Sequence, residues 1–229
     1  MPMPATPEPS PPPRPRRRRS VWVAPAAGAA AIVVVAIAAA GWAPGWYAER
    51  VTVGDDATIE RDARRLVTAA AGLQAAAGRP GEWAAAIREQ ELNAWLATDL
   101  PRNHATALPA GIREPRIGLE PGRIRVAARA AAGPLEGTVS LVVEARLRAP
   151  NQLELAVSEA RLGLVPIPAG PFVHRLAAVC DRLGLVTQVR RLDGRSVVVV
   201  SLGGRGAVLR GLTVDAGELV VAGTTEEAR

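Results

Sequence analysis

One stretch limits every arrangement open to this chain. Val21 to Tyr47, VWVAPAAGAAAIVVVAIAAAGWAPGWY, carries no charged side chain and follows directly on Arg16 to Arg19. A helix from Val21 to Ala43, at 1.5 Å per residue, covers about 34 Å, enough for the roughly 30 Å hydrocarbon core of a bilayer. Its hydrophobic strength comes from Val21, Val23, Ile32, Val33, Val34, Val35 and Ile37. Together these supply at most roughly −2 to −4 kcal/mol towards insertion. Trp22 marks one edge of the stretch and Trp42, Trp46 and Tyr47 the other, where amphipathic rings meet the two interfaces. Arg14 and Arg16 to Arg19 precede it, whereas Glu49, Arg50, Asp55 and Asp56 nearly balance one another beyond it. The positive-inside rule then predicts a single-pass anchor with its N-terminus in the cytoplasm and the rest of the chain outside. A cleavable secretory signal is the competing reading, with small residues such as Ala38-Ala39-Ala40 at the cut. Either way the bulk of the chain is exported.

Five segments follow from this. Residues 1–20 hold eight prolines and no apolar run, which predicts a disordered Pro/Arg-rich cytoplasmic tail. Residues 21–47 are the anchor. Residues 48–80 read as a juxtamembrane helix: Asp55 and Asp56 open it, Ile59, Ala63, Leu66, Val67, Ala70 and Leu73 share a face, and Gly78 and Pro80 end it. Residues 81–222 form the extracytoplasmic domain and 223–229 a frayed tail. Within the domain, Gly81 to Leu100 is expected to be helical, with Pro101 as its stop and Glu89 and Glu91 on a solvated face. From Ile112 the period changes to two. Val139, Leu141, Val143, Ala145 and Leu147 alternate with residues such as Ser140, Glu144 and Arg146, so one sheet face is dry and the other wet. Turns are predicted at Glu120-Pro121-Gly122-Arg123, Ala149-Pro150-Asn151, Asp193-Gly194 and Asp215-Ala216-Gly217. Phe172 to Leu183 reads as a helix that covers the dry face. The fold class is α+β, with a curved antiparallel β-sheet packed on a helix.

The chemistry-bearing residues do not converge. All 28 basic residues are arginine, and the first twenty residues take five of them against one glutamate. The remaining 209 carry 23 Arg and 21 acids, interleaved, so no nucleic-acid surface is predicted. Cys180 is the single cysteine, which excludes an intramolecular disulfide and reads as a buried thiol. His104 and His174 lie in unrelated contexts with no metal-ligand spacing, and no serine stands in a Gly-x-Ser-x-Gly elbow. Gly203-Gly204-Arg205-Gly206 has the glycines of a phosphate loop without its Lys-Ser/Thr. The expectation is a non-enzymatic protein with no catalytic residues, no metal and no cofactor.

The order of one N-terminal span, the helix Glu89-Gln90-Glu91-Leu92-Asn93-Ala94-Trp95-Leu96, a run of strands and the junction Arg161-Leu162-Gly163-Leu164-Val165-Pro166-Ile167-Pro168 resembles the YpmS-type bacterial envelope proteins. It is similar, more distantly, to exported lipid-binding domains of the tubular class. The likeness covers about residues 85 to 222, and this chain departs from it in the helix of residues 55–78 and in its few aromatics. The resemblance implies a lipid or hydrophobic-ligand role at a bacterial plasma (inner) membrane, with membrane lipids and an envelope protein as partners. In that role Leu141, Val143, Leu155, Val157, Phe172 and Leu176 would line a groove between the sheet and the Phe172 helix. In the alternative, a structural or protein-interaction module, the same six close into a filled core.

Overall fold

The computed structural model describes residues 41–51, 54–104, 106, 108–132, 135–182, 184–192, 194–202 and 206–226. The tail of residues 1–20 and the apolar stretch as far as residue 40 lie outside the described residues, as do residues 227–229. Among the described residues no helix is long and apolar enough to cross a membrane.

The described chain is α+β, an antiparallel sheet packed against helices, as the alternating strands demand. Its elements are α1 (Gly45–Val51), α2 (Asp56–Ala77), β1 (Gly81–Arg88), α3 (Glu89–Asn103), β2 (Ile112–Glu120), β3 (Arg123–Ala132), β4 (Leu135–Ala149) and β5 (Gln152–Leu162). There follow β6 (Val165–Pro166), α4 (Gly170–Arg182), β7 (Val186–Leu192), β8 (Arg195–Ser201), β9 (Ala207–Asp215) and β10 (Glu218–Thr225). Where the sequence predicts one sheet, the chain builds two. The larger runs β2-β3-β4-β5-β8-β7, with β6 beside β5, and the smaller runs β1-β10-β9.

The dry face of the large sheet is covered from two directions. At one end α4 lays Val173, Ala177 and Cys180 on Val143, Val157, Val198 and Val200. At the other, Val214 of β9 meets Leu119 and Ala145, with Leu92 of α3 and Leu219 of β10 alongside. A bulge keeps this face continuous. Val143 pairs with Val157 and Val142 with Glu159, so Ser158 is skipped. The parity of β5 therefore changes from Leu153, Leu155 and Val157 to Ala160 and Leu162 without turning the face to solvent. Asn151, at φ +60°, closes the β4–β5 turn, and its side chain bonds both to the N–H of Leu209 and to the carbonyl of Ala207. One asparagine thus joins the hairpin of the large sheet to β9 of the small one.

Four segment boundaries differ from the sequence reading. Gly81 to Arg88 is a strand, not the first half of a helix. Trp83, Ala85 and Ile87 are half-buried while Glu82, Ala84, Ala86 and Arg88 are exposed, a period of two, and each pairs with a residue of β10. Pro101 lies inside α3, which continues to Asn103 because the N–H of His104 still reaches the carbonyl of Leu100 at 3.0 Å. Residues 223–225 are not a frayed tail. They complete β10, where the Thr225 hydroxyl donates to the carbonyl of Ala77 at 2.9 Å and accepts from the Trp83 indole at 3.1 Å. The segment 48–80 holds two helices instead of one. The second starts at Asp55, whose carboxylate accepts from the N–H of Thr58 at 2.7 Å and is held below the usual aspartate range by that bond.

Two tests follow from this packing. A Cβ at Gly223 would collide with Cζ2 of Trp83 and the carbonyl oxygen of Val208, neither of which can withdraw without breaking the β1-β10-β9 ladder. Gly223→Ala is expected to lower unfolding free energy by about 1–3 kcal/mol in urea, the range for overpacking; Gly217→Ala tests the separate cost of φ +77° in open space. Cys180 is buried, and burial pushes its thiol pKa up. A thiol reagent should therefore leave the folded protein unlabelled and label one site only after denaturation.

Candidate functional site

β2 is an edge strand, and an edge presents unpaired N–H and C=O groups that must find partners. In this chain helix side chains supply them. Asn93 donates from its amide to the carbonyl of Ile117 at 2.7 Å and accepts from the N–H of Ile117 at 2.8 Å. Glu89 accepts the N–H of Leu119 at 2.6 Å. Glu89 and Asn93 are four residues apart on α3, a rise of about 6 Å; Ile117 and Leu119 are two apart on β2, about 6.7 Å. The two periods match, so the carboxylate and the carboxamide together imitate a neighbouring strand. The next outward residue of β2 is Pro115, which has no N–H to satisfy, and a further turn along α3 stands Ala97, which offers none. Leu119 completes the edge by accepting from the N–H of Gly217, whose own carbonyl receives the N–H of Glu89.

Glu89 and Glu91 thus do not form a solvated face. Glu91 accepts the N–H of Arg88 at 3.2 Å and closes the first turn of α3. Glu89 is turned inward, its side chain 13% exposed, with its second oxygen 2.5 Å from Nε of Arg50.

Arg50 brings in α1. Its Nη1 donates to the carbonyl of Trp46 at 2.8 Å, and its carbonyl accepts from Nε of Arg116 at 2.9 Å. Tyr47 is 2% exposed and its hydroxyl donates to the carbonyl of Glu114 at 2.9 Å. Trp46 lies against Gly118, where a Cβ would stand 3.4 Å from the indole, so the absent side chain lets the ring approach the sheet. Trp46 and Tyr47, expected to anchor the far edge of the apolar stretch, are instead built into the domain. Trp42 remains 61% exposed.

Arg116 is 8% exposed and, among the described residues, has no carboxylate within 4 Å. Nη1 bonds to the carbonyl of Pro115 at 2.8 Å and Nε to that of Arg50. Burial pushes its pKa down from the ordinary arginine value, with the nearby Tyr47 and Glu114 pulling the other way. The neighbouring acids are engaged elsewhere: Glu89 with Arg50, Asp62 with Arg65 at 3.3 Å, and Glu114 with Arg129 at 3.0 Å. Arg116 lines two clefts along α3. One, of about 360 Å³, is bordered by Val51, Thr58, Ile59, Asp62 and Ala94; the other, of about 480 Å³, by Leu96, Pro101, Leu108, Pro109, Ile112 and Pro115. Ala97 borders both.

The six residues expected to line a groove do come together. Val143 and Val157 are 7% and 8% exposed in the core under α4, and Leu141, Leu155, Phe172 and Leu176 pack half-buried against them. His104 lies 3.5 Å from Asp99 and beside Trp95, while His174 is exposed on α4. Among the described residues no three His, Cys, Asp or Glu side chains gather as a metal site would. Residues 203–205 lie outside the described residues. The sequence reading missed Tyr47, Arg50, Glu89, Asn93 and Arg116; the available signal was the i, i+4 spacing of Glu89 and Asn93 opposite a strand with Pro at alternate register. Comparison with protein-family models, curated proteins and solved structures gave no match.

Replacing Asn93 by Leu leaves the N–H and C=O of Ile117 without partners, at about 1–3 kcal/mol for each buried group left unsatisfied. Urea unfolding should show that loss, whereas Gln90→Leu, exposed three residues earlier, stays within about 0.5 kcal/mol of the parent. Equal effects of the two would remove the edge-capping role.

Proposed function

We propose that this chain is a membrane-anchored, non-catalytic module of the bacterial envelope whose extracytoplasmic domain binds lipid or another hydrophobic ligand. The observation that carries this reading is how soon the domain begins. Ala43 is the last residue of the expected span, and Tyr47, four residues later, is already buried against β2. Four residues reach at most about 14 Å. A domain so tethered works at the membrane surface, where its ligands and partners are lipids or other envelope components.

The open space in the domain favours α3 over α4 as the place for such a ligand. Val173, Ala177 and Cys180 fill the contact between α4 and the sheet, each 7% exposed or less. The clefts beside α3 are concave and mostly apolar, as ligand sites are.

An interaction module is the second reading, and one observation favours it. β7 is an edge strand with Val186 64% and Val189 40% exposed, beside Val179 of α4 at 37%. Exposed apolar side chains on an unpaired edge suit a protein partner.

Two measurements test the proposal on the full-length chain. Membranes washed with alkaline carbonate should retain the protein, and its N-terminus should precede residue 21; release, or a mature N-terminus near residue 41 or 44, defeats the anchor. Native mass spectrometry of the detergent-extracted protein should show bound lipid. A ligand-free spectrum, with a partner protein held through Val186 and Val189, favours the second reading.

A further inference from the structure

Resting on the ligand-binding reading above, we propose that Arg116 receives the oxyanion head of a single-chain anionic amphiphile lying along α3, with its tail in the cleft bordered by Leu96, Pro101, Leu108, Pro109 and Ile112. Four observations meet at this point. First, Arg116 is more than nine-tenths buried and carries its charge without an acidic partner, although a guanidinium removed from water is costly unless it is paired. Second, its hydrogen bonds to described residues use two backbone carbonyls, of Arg50 and Pro115, which are weaker partners for a cation than a carboxylate. Third, among the described residues no wholly buried side-chain nitrogen or oxygen lacks a partner. Nη2 of Arg116, which has no bond to a described residue, is therefore the nitrogen left open, and Arg116 lines both clefts. Fourth, three acids beside it, Glu89, Asp62 and Glu114, are engaged by Arg50, Arg65 and Arg129.

The shape of the space selects the tail. The larger cleft, about 480 Å³, is lined by Leu, Pro, Ala and Ile side chains together with Arg113, Glu114 and Arg116, and Ala97 and Arg116 border the smaller cleft as well. A carboxylate or phosphate monoester presents two oxygens to a guanidinium in one plane, the geometry arginine matches better than lysine. An alkyl chain attached to such a head then leaves water along the apolar wall. A neutral amphiphile would fill the cleft and leave Arg116 unpaired; a free oxyanion would pair with Arg116 and leave the cleft empty. Only the combination uses both.

The test uses the full-length chain in zwitterionic nanodiscs and a fluorescent fatty acid, dansyl-aminoundecanoate, as probe. Saturable enhancement is expected, displaced by laurate and by lauryl phosphate but not by dodecanol or inorganic phosphate. Arg116→Gln should weaken the probe by about tenfold or more, the scale for removing a buried charged partner, and Arg116→Lys should recover part of that loss. Because Arg116 also holds α1, a second variant leaves it untouched. Ala97→Phe takes up space in both clefts and should weaken the probe while circular dichroism and melting stay near the parent's. Displacement by dodecanol as well as laurate, displacement by inorganic phosphate, or unchanged affinity in a folded Arg116→Gln overturns the site. If native mass spectrometry still finds lipid in those cases, the ligand-binding module stands and only this placement falls. If no amphiphile of any charge binds, both fall.

Discussion

The backbone edge of β2 is the constraint on which the rest of this structure depends. A strand that ends a sheet leaves its outward N–H and C=O groups in need of partners, and burial makes the need absolute. Here Glu89 and Asn93 meet it from a helix, so α3 is held at a fixed height along β2 and cannot slide by a residue without losing three hydrogen bonds. That registration has further effects. α2 packs on α3, β1 runs directly into α3, and β10 pairs with β1. The small sheet is thereby placed over the Leu119 and Ala145 end of the large sheet, and the two hydrophobic clusters become continuous through Ile124, Leu153 and Leu155. A polar device at an edge thus decides where an apolar core closes.

How much of this is legible in the sequence depends on the range of the interaction that decides each element. The hairpins from β2 to β5 are local: Pro121-Gly122 and Pro150-Asn151 sit between segments that alternate cleanly, and neighbouring strands pair with each other. β1 is not local. Its partner begins at Glu218, and Ala84-Ala85-Ala86 suits a helix at least as well as a strand by intrinsic preference. Tertiary pairing overrides that preference, and only Trp83, Ala85 and Ile87 at alternate positions hint at it. The candidate site is hidden for a related reason. Glu89 and Arg116 are ordinary charged residues in a chain rich in both kinds, and what distinguishes them is that one is buried with a partner and the other without. Neither burial nor pairing across about thirty residues is written in local pattern.

Seen from the charges, the site is an unequal division. Arg50 and Arg116 both approach the junction of α1, α3 and β2, and the Glu89 carboxylate there pairs with Arg50. Glu89 is committed by its bond to the N–H of Leu119, which fixes its carboxylate plane on the α3 side of the edge. Arg50 reaches that side through Nε, while Arg116 lies three strand residues away from Leu119 and takes carbonyls instead. The edge cap that orders α3 is therefore also what leaves Arg116 without a counter-charge.

The position of this cation relative to the chain's entry follows from α1. Arg50, three residues after the buried Tyr47, holds Arg116 through its own carbonyl, so the helix that receives the chain from the apolar stretch touches the cleft directly. Within the domain, Trp46 on Gly118, Tyr47 on Glu114 and Arg50 on Glu89 restrain α1 at three points along two turns.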